Sequence, residues 1–322
     1  MKLSAPRSTP RVLALLLTLS ALIAPQAAGQ REQKDQITLR TDLVVVDVTV
    51  TDKDGNFIRK LKPEDFVVYD DGVERKHEYD LFSASEEASL TRPIAVVFAL
   101  DVSGSITNEE INRQRFAAES FIKLLTPDST FAVLAFNYEI RLLQDFTSDP
   151  KKIGQAFEKI GRGEGSTRLF QTIDRAVSML KRGPRFRSGR RLRRVVIVLT
   201  DGFDNVDPPE QDPLIQHATN AEVTVYSITT PSYIAGSAPH QRSMTLLDVS
   251  RIVPMTGGKD FSADDKDFTP AFKAIAEEIR SSYTIAYYPP EKNRHDGRTH
   301  QIRIECKKSG AIVRTSRGAY KF

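Results

Sequence analysis

Cysteine is nearly absent: Cys306 is the only one among 322 residues. A single thiol excludes an internal disulfide, so the core must hold without covalent staples. Histidine is scarce as well. His77, His217, His240, His295 and His300 are scattered through polar or turn contexts, and none is a candidate catalytic base. The chain has no GxSxG elbow and no HExxH helix, and "GRGEGST" lacks the lysine that a phosphate-binding P-loop needs before its Ser or Thr. No internal repeat or low-complexity tract stands out. These absences lead to the expectation that the protein is not an enzyme.

Long apolar runs are missing too. The longest near the start, Val12 to Ala24, spans about thirteen residues, where a membrane helix needs roughly 20. Lys2, Arg7 and Arg11 precede it, and the small residues of "PQAAGQ" follow it. This is the plan of a secretory signal peptide, expected to cover residues 1–29 and to be cleaved near Ala28 or Gly29. No cysteine ends the apolar core, so lipid attachment there is excluded. The mature chain is expected to be secreted or periplasmic.

Three regions follow. Between 37 and 83, Val44, Val46, Val48 and Val50 alternate, and Asp54-Gly55 and Asp71-Gly72 supply turns, which predicts a small all-β module. Residues 84–93 read as a linker ending in Pro93. From 94 to 288, apolar runs ("IAVVFAL", "FAVLAF", "VVIVLT", "VTVYSI") alternate with helical stretches. "IRLLQDF" follows "FAVLAF" too closely for a crossover and is expected to be an antiparallel edge strand. Thr107 and Glu110 form a capping box ahead of a helix over 108–125, with an apolar stripe of Ile111, Phe116, Ala117, Phe121, Leu124 and Leu125. The fold class is therefore α/β: a doubly wound, mostly parallel sheet with helices on both faces, flanked by small all-β segments. "YTIAYY" at 283–288 is counted with the α/β domain, whose sheet it would complete. The strands of 289–322 are expected to pack with the N-terminal module.

Oxygen-bearing side chains gather where strands of the α/β domain end. Asp101, Ser103 and Ser105 follow the first strand, Thr200 and Asp201 end another, and Ser166 and Thr167 lie in a glycine-rich loop before a helix. In an open α/β sheet, ligands bind at the carboxyl ends of strands. Carboxylates and hydroxyls without His or Cys describe a site for a hard cation: Mg²⁺, Mn²⁺ or Ca²⁺, with Mg²⁺ preferred.

"DVSGS", "GSTRLF" and "LTDGFDN" resemble the three metal-binding loops of the von Willebrand factor type A (VWA) domain. The second follows the first after about sixty residues and the third comes 34 beyond it. The resemblance implies a VWA/Rossmann-like fold and a metal-ion-dependent adhesion site. Its ligands would be Asp101, Ser103, Ser105, Thr167 and Asp201, with Ser166 open as an alternative to Thr167. It also implies an adhesive function, in which a protein partner supplies an Asp or Glu carboxylate to the bound cation. The flanking segments "LVVVDVTVTDKDGNFIRKLKPEDFVVYDDG" and "DGRTHQIRIE" are similar to those of VWFA-related proteins described from acidobacteria.

A rival chemistry starts from the same aspartate. A phosphotransferase of the haloacid dehalogenase type needs a second carboxylate two residues after the strand-end Asp, and Ser103 stands there instead. Tyr233, in a long loop after "VTVYSI", and Asp204, beside Asp201, are rim candidates for ligand contact. The net charge of +4 comes from one basic run, "KRGPRFRSGRRLRR". Its Arg185, Arg187, Arg190, Arg191, Arg193 and Arg194 form a candidate patch for an anionic surface, the alternative being a solvated loop. Nucleic acid is not an expected partner, because only Phe186 interleaves for stacking. A second reading of the whole chain is a structural or assembly component acting through its β module, with the metal only stabilising.

Overall fold

The computed structural model describes residues 43–76, 79–82, 92–102, 108–160, 167–200, 211–229, 251–263 and 267–322. The first strands are β1 (Val44–Thr51), β2 (Phe66–Asp70), β3 (Val73–Glu74) and β4 (Tyr79–Phe82). The α/β region runs β5 (Ile94–Asp101), α1 (Asn108–Lys123), β6 (Thr130–Phe136), β7 (Ile140–Thr147), α2 (Pro150–Glu158) and α3 (Leu169–Arg182). A short hairpin of β8 (Phe186–Arg187) and β9 (Arg190–Arg191) leads into β10 (Arg193–Thr200), α4 (Gln211–Asn220), β11 (Val223–Thr229), α5 (Ile252–Met255), β12 (Asp260–Ser262) and α6 (Thr269–Ser281). The chain closes with β13 (Tyr283–Tyr287), β14 (His300–Cys306), β15 (Ile312–Thr315) and β16 (Ala319–Tyr320).

The central sheet has six strands in the order β12-β11-β10-β5-β6-β7. Every pairing is parallel except that of β6 with β7, the antiparallel edge expected from the short connection. β5 and β10 lie in the middle and are buried along their whole length, which is why both are near-continuous apolar runs. Side chains alternate across the sheet. Val96, Phe98 and Leu100 pack with residues of α1, α2 and α6, whereas Ala95, Val97 and Ala99 pack with residues of α3, α4 and α5. Phe98 anchors the first layer, with the rings of Phe121, Phe131, Phe157 and Phe272 at 6.1–6.3 Å. Helices therefore cover both faces.

One member of the α1 stripe is misplaced by the sequence reading. Phe116 is 61% exposed, beneath the Arg115 guanidinium, while Gln114 is buried. At about 100° per residue, position 116 lies roughly 140° around the helix from Ile111 and cannot share its face. Thr107, the expected cap, lies outside the described residues.

The remaining strands form two four-stranded sheets, β15-β1-β13-β4 and β16-β14-β2-β3. They enclose a core of Val44, Val46, Val48 and Val50 with Phe66, Val68, Tyr283, Ile285, Tyr287, Ile302, Ile304 and Tyr320. β13 does not extend the α/β sheet. It pairs antiparallel with β1, Val46 opposite Ile285, and with β4 on its other edge. Its inward face is Tyr283, Ile285 and Tyr287, a period-2 pattern that suits a sheet with one face on a core. Strands from both ends of the sequence thus interleave, β1 between β13 and β15 and β2 beside β14. Asp71 and Gly72, at φ +49° and +80°, make the tight turn joining β2 to β3.

The module and the α/β region share a charged seam. Asp47 of β1 accepts from Arg92 at 2.5 Å and from Thr284 at 2.8 Å, and pairs with Arg193 of β10 at 3.3 Å. Burial alone would raise the Asp47 pKa. The Arg92 and Arg193 guanidiniums and the Thr284 hydroxyl overcome it and hold the carboxyl at about 2.

Candidate functional site: the carboxyl rim of the parallel sheet

Asp101 is the last residue of β5, fully buried at the carboxyl end of the sheet. The neighbouring strand β10 ends at Thr200, and its hydroxyl donates to Asp101 Oδ2 at 2.8 Å. The register explains the contact: Leu100 lies opposite Leu199, so the next residues of the two parallel strands arrive together. On the other side of β5, Val102 donates its N–H to the Phe136 carbonyl at 2.9 Å, which ties the start of the "DVSGS" loop to the end of β6.

Thr167 reaches the same rim from a different direction. Arg168 N–H donates to the Asn137 carbonyl at 2.9 Å, just past β6, and α3 begins at Leu169. Thr167 is itself buried, at 4% exposure. A buried carboxylate and two buried hydroxyls therefore sit at the ends of adjacent strands and before a helix. These are hard oxygen donors, the set a divalent hard cation requires. Ser103, Ser105, Ser166, Asp201, Asp204 and Tyr233 lie outside the described residues. Thr200, placed at this rim in the sequence but not among the proposed ligands, is fixed by the structure as a partner of Asp101.

The basic run is not a free patch. Arg193 and Arg194 are 5% exposed. Arg193 donates to the Ile279 carbonyl and the Tyr226 hydroxyl besides pairing with Asp47, and Arg194 donates to the Ala221 carbonyl at 2.8 Å. Arg190 pairs with Asp128 at 2.5 Å, Arg191 with Glu222, and Arg187 bonds Ser148 at 3.1 Å. The hairpin turns at Ser188-Gly189, both at positive φ, folding these arginines back onto the protein. Of the six, Arg185 is left exposed without a part in this network. Sequence reasoning sees a cluster of like charge. It does not see the acids and carbonyls that other elements bring to it.

A second polar cluster lies in the β module. Asp70, Asp71 and His300 bring a carboxylate oxygen each and a ring nitrogen within 4.8 Å of one another. Asp70 ends β2, Asp71 follows it in the turn, and His300 opens β14, 229 positions after Asp71. The sequence offered no sign of it, because the histidine and the aspartates meet only through the pairing of β2 with β14.

Among the described residues, no helix is long and apolar enough to cross a membrane.

Residues 96–203 match the family model of the von Willebrand factor type A domain. Solved structures resemble the chain at low identity. A conserved hypothetical protein, BatB, from Bacteroides thetaiotaomicron is 19% identical, over 58% of this chain and 97% of that one, with a TM-score of 0.43. An aerotolerance-related membrane protein from Bacteroides fragilis is 18% identical, over 58% and 98%, at 0.44. A von Willebrand factor type A protein from Catenulispora acidiphila is 14% identical, over 71% and 67%, at 0.47. The match runs from within β5 to just after β10, the stretch that carries Asp101, Thr167 and Thr200. Within the α/β region, residues 96–203 are thus the part of this protein that matches the von Willebrand factor type A domain.

Proposed function

We propose that the protein is an exported binding protein whose VWA domain engages a macromolecular partner, a protein in the first instance, through a divalent cation. The observation that supports this most is the buried Asp101 carboxylate, held by Thr200 at the carboxyl rim with Thr167 beside the start of α3. Asp101, Ser103, Ser105, Thr167 and Asp201 would hold the ion, a hard divalent cation with Mg²⁺ put ahead of Mn²⁺ and Ca²⁺, because all five donors are hard oxygens of the kind such cations take. When bound, it supplies a positive centre with room for a carboxylate from the partner. The chain's own part is to fix the strand-end oxygens. The two central strands are buried on both faces, so Asp101 and Thr200 are set in place before any ligand arrives.

Thermal unfolding of the chain from Gln30 onward, in EDTA and in each cation, tests the metal step. At a hundred times its Kd a cation stabilises the native state by about 2.7 kcal/mol. A rise of several degrees with Mg²⁺, absent in Asp101→Ala and Asp201→Ala, is expected. Equal unfolding temperatures under all conditions would refute the site. The partner step is tested by capture: binding should be lost in chelator and lost when the partner's carboxylate becomes an amide.

A further inference from the structure

We propose that Asp70, Asp71 and His300 form a second, separate metal site in the β module, one for a borderline divalent cation of the Zn²⁺ class.

The first ground is the donor set. Asp70 and Asp71 provide two carboxylates and His300 Nδ1 an imidazole nitrogen, all within 4.8 Å of one another. A tetrahedral Zn²⁺ with bonds of roughly 2.0–2.1 Å places its ligand atoms roughly 3.3 Å apart, so small side-chain movements suffice. Asp71, which accepts from the Gln301 N–H at 2.9 Å and faces His300 at 2.7 Å, lies nearest to solvent. Its side chain is 43% exposed at a turn, whereas Asp70 and His300 are buried against the module core.

The second ground is the surroundings of the imidazole. Nδ1 faces Asp71 Oδ2 at 2.7 Å, and Nε2 faces Asp296 Oδ1 at 3.1 Å. With a cation in place of the Nδ1 proton, Nε2 keeps its proton and donates it to Asp296 Oδ1. A metal-bound histidine usually has such a carboxylate behind it, fixing its tautomer and ring orientation. Tyr320 stacks on the ring at 5.1 Å and donates to both Asp70 oxygens, at 2.9 and 3.1 Å.

The third ground is the balance of charge and burial around the cluster. Asp70 is 2% exposed, and the side chains that bond it, Tyr320 and Asn293, are neutral. Three carboxylates, Asp70, Asp71 and Asp296, thus surround one imidazole, an excess of negative charge that a divalent cation would neutralise. The Tyr287 hydroxyl is buried and turned toward Asp70, burial first and then that charge raising its pKa, and it makes no full hydrogen bond among the described residues. A buried hydroxyl without a bond is costly.

The consequence is structural. The ligands join β2, near the start of the chain, to β14, near its end. A cation there closes a loop of over two hundred residues in a protein whose lone cysteine provides no covalent staple. This site is distinct from the strand-end rim of the VWA domain and does not depend on it.

The test uses the whole exported chain carrying Asp101→Ala and Asp201→Ala, which disables the rim. After chelator treatment it is titrated with Zn²⁺ against a competing chromophoric chelator, and with Co²⁺ followed by visible absorption. One equivalent should bind and raise the unfolding temperature. His300→Gln and Asp71→Asn should each abolish that equivalent, and Asp296→Asn should weaken it about 10- to 100-fold. Asp71→Asn alters an exposed turn residue and keeps the test valid should His300→Gln misfold; circular dichroism verifies both folds. Absence of the equivalent in the rim-disabled chain, or its retention in folded Asp71→Asn, would overturn the proposal.

Discussion

The Thr200 hydroxyl donates to Asp101 Oδ2 at 2.8 Å, joining the last residues of the two central parallel strands. Replacing it by an isosteric valine tests what the bond does. Thr200→Val should lower stability by about 1–2 kcal/mol, the cost of leaving a buried carboxylate short of a donor. It should also reduce the Mg²⁺-dependent rise in unfolding temperature, because Asp101 loses the group that orients it. An unchanged cation increment in a destabilised variant would show that the bond serves the fold alone.

Asp47 sets an acid limit on stability. Its folded pKa, at about 2, lies below its ordinary value of 3.8. Its contribution is therefore complete above about pH 4 and is lost as pH falls towards 2. The size is about 2 kcal/mol. Urea unfolding at several pH values should show this loss in the parent chain and a flatter acid slope in Asp47→Asn, which should also be weaker near neutrality because Arg193 is left short of its acid.

The basic run divides into buried and exposed arginines that should behave differently. Arg193→Ala breaks a buried pair and two further hydrogen bonds, and should cost about 3 kcal/mol or more. Arg185→Ala removes an exposed charge and should stay within about 0.5 kcal/mol. Denaturant midpoints distinguish the two. Equal effects would mean that Arg193 is not the anchor of the seam.

Gly257 and Gly258 mark where α5 meets its neighbours. A methyl group at Gly258 would collide with the Val225 carbonyl of β11, and one at Gly257, itself at φ +76°, with the backbone at Thr315 and Ser316. Backbone cannot yield as a flexible side chain does. Gly258→Ala should therefore disturb the edge of the α/β sheet, and Gly257→Ala its contact with β15, each by several kcal/mol. Soluble yield and unfolding temperature provide the measure.

Much of this architecture was legible in the residues themselves. "IAVVFAL" and "VVIVLT" are apolar throughout because strands buried on both faces have no solvent side, and no helix of that length would need such a run. The short step from "FAVLAF" to "IRLLQDF" allowed only an antiparallel return. Asp101 stood out because a strand end is where a parallel sheet exposes its polar residues to a ligand. Local patterning failed where a partner comes from far away. "YTIAYY" reads equally well as a strand of either sheet, and only its pairing with β1 placed it in the β module. Phe116 shows the limit of counting apolar residues without following the helical angle.

Sequence by itself determined the strand–helix alternation, the parallel sheet and the strand-end oxygens, because each depends on neighbours within a few residues. Tertiary structure alone decided the rest: the Thr200–Asp101 bond, the neutralised arginines and the meeting of Asp70 and Asp71 with His300. Charge and hydrogen-bonding capacity are written residue by residue, but whether a charge stays exposed or finds its partner depends on which distant strands the fold sets side by side.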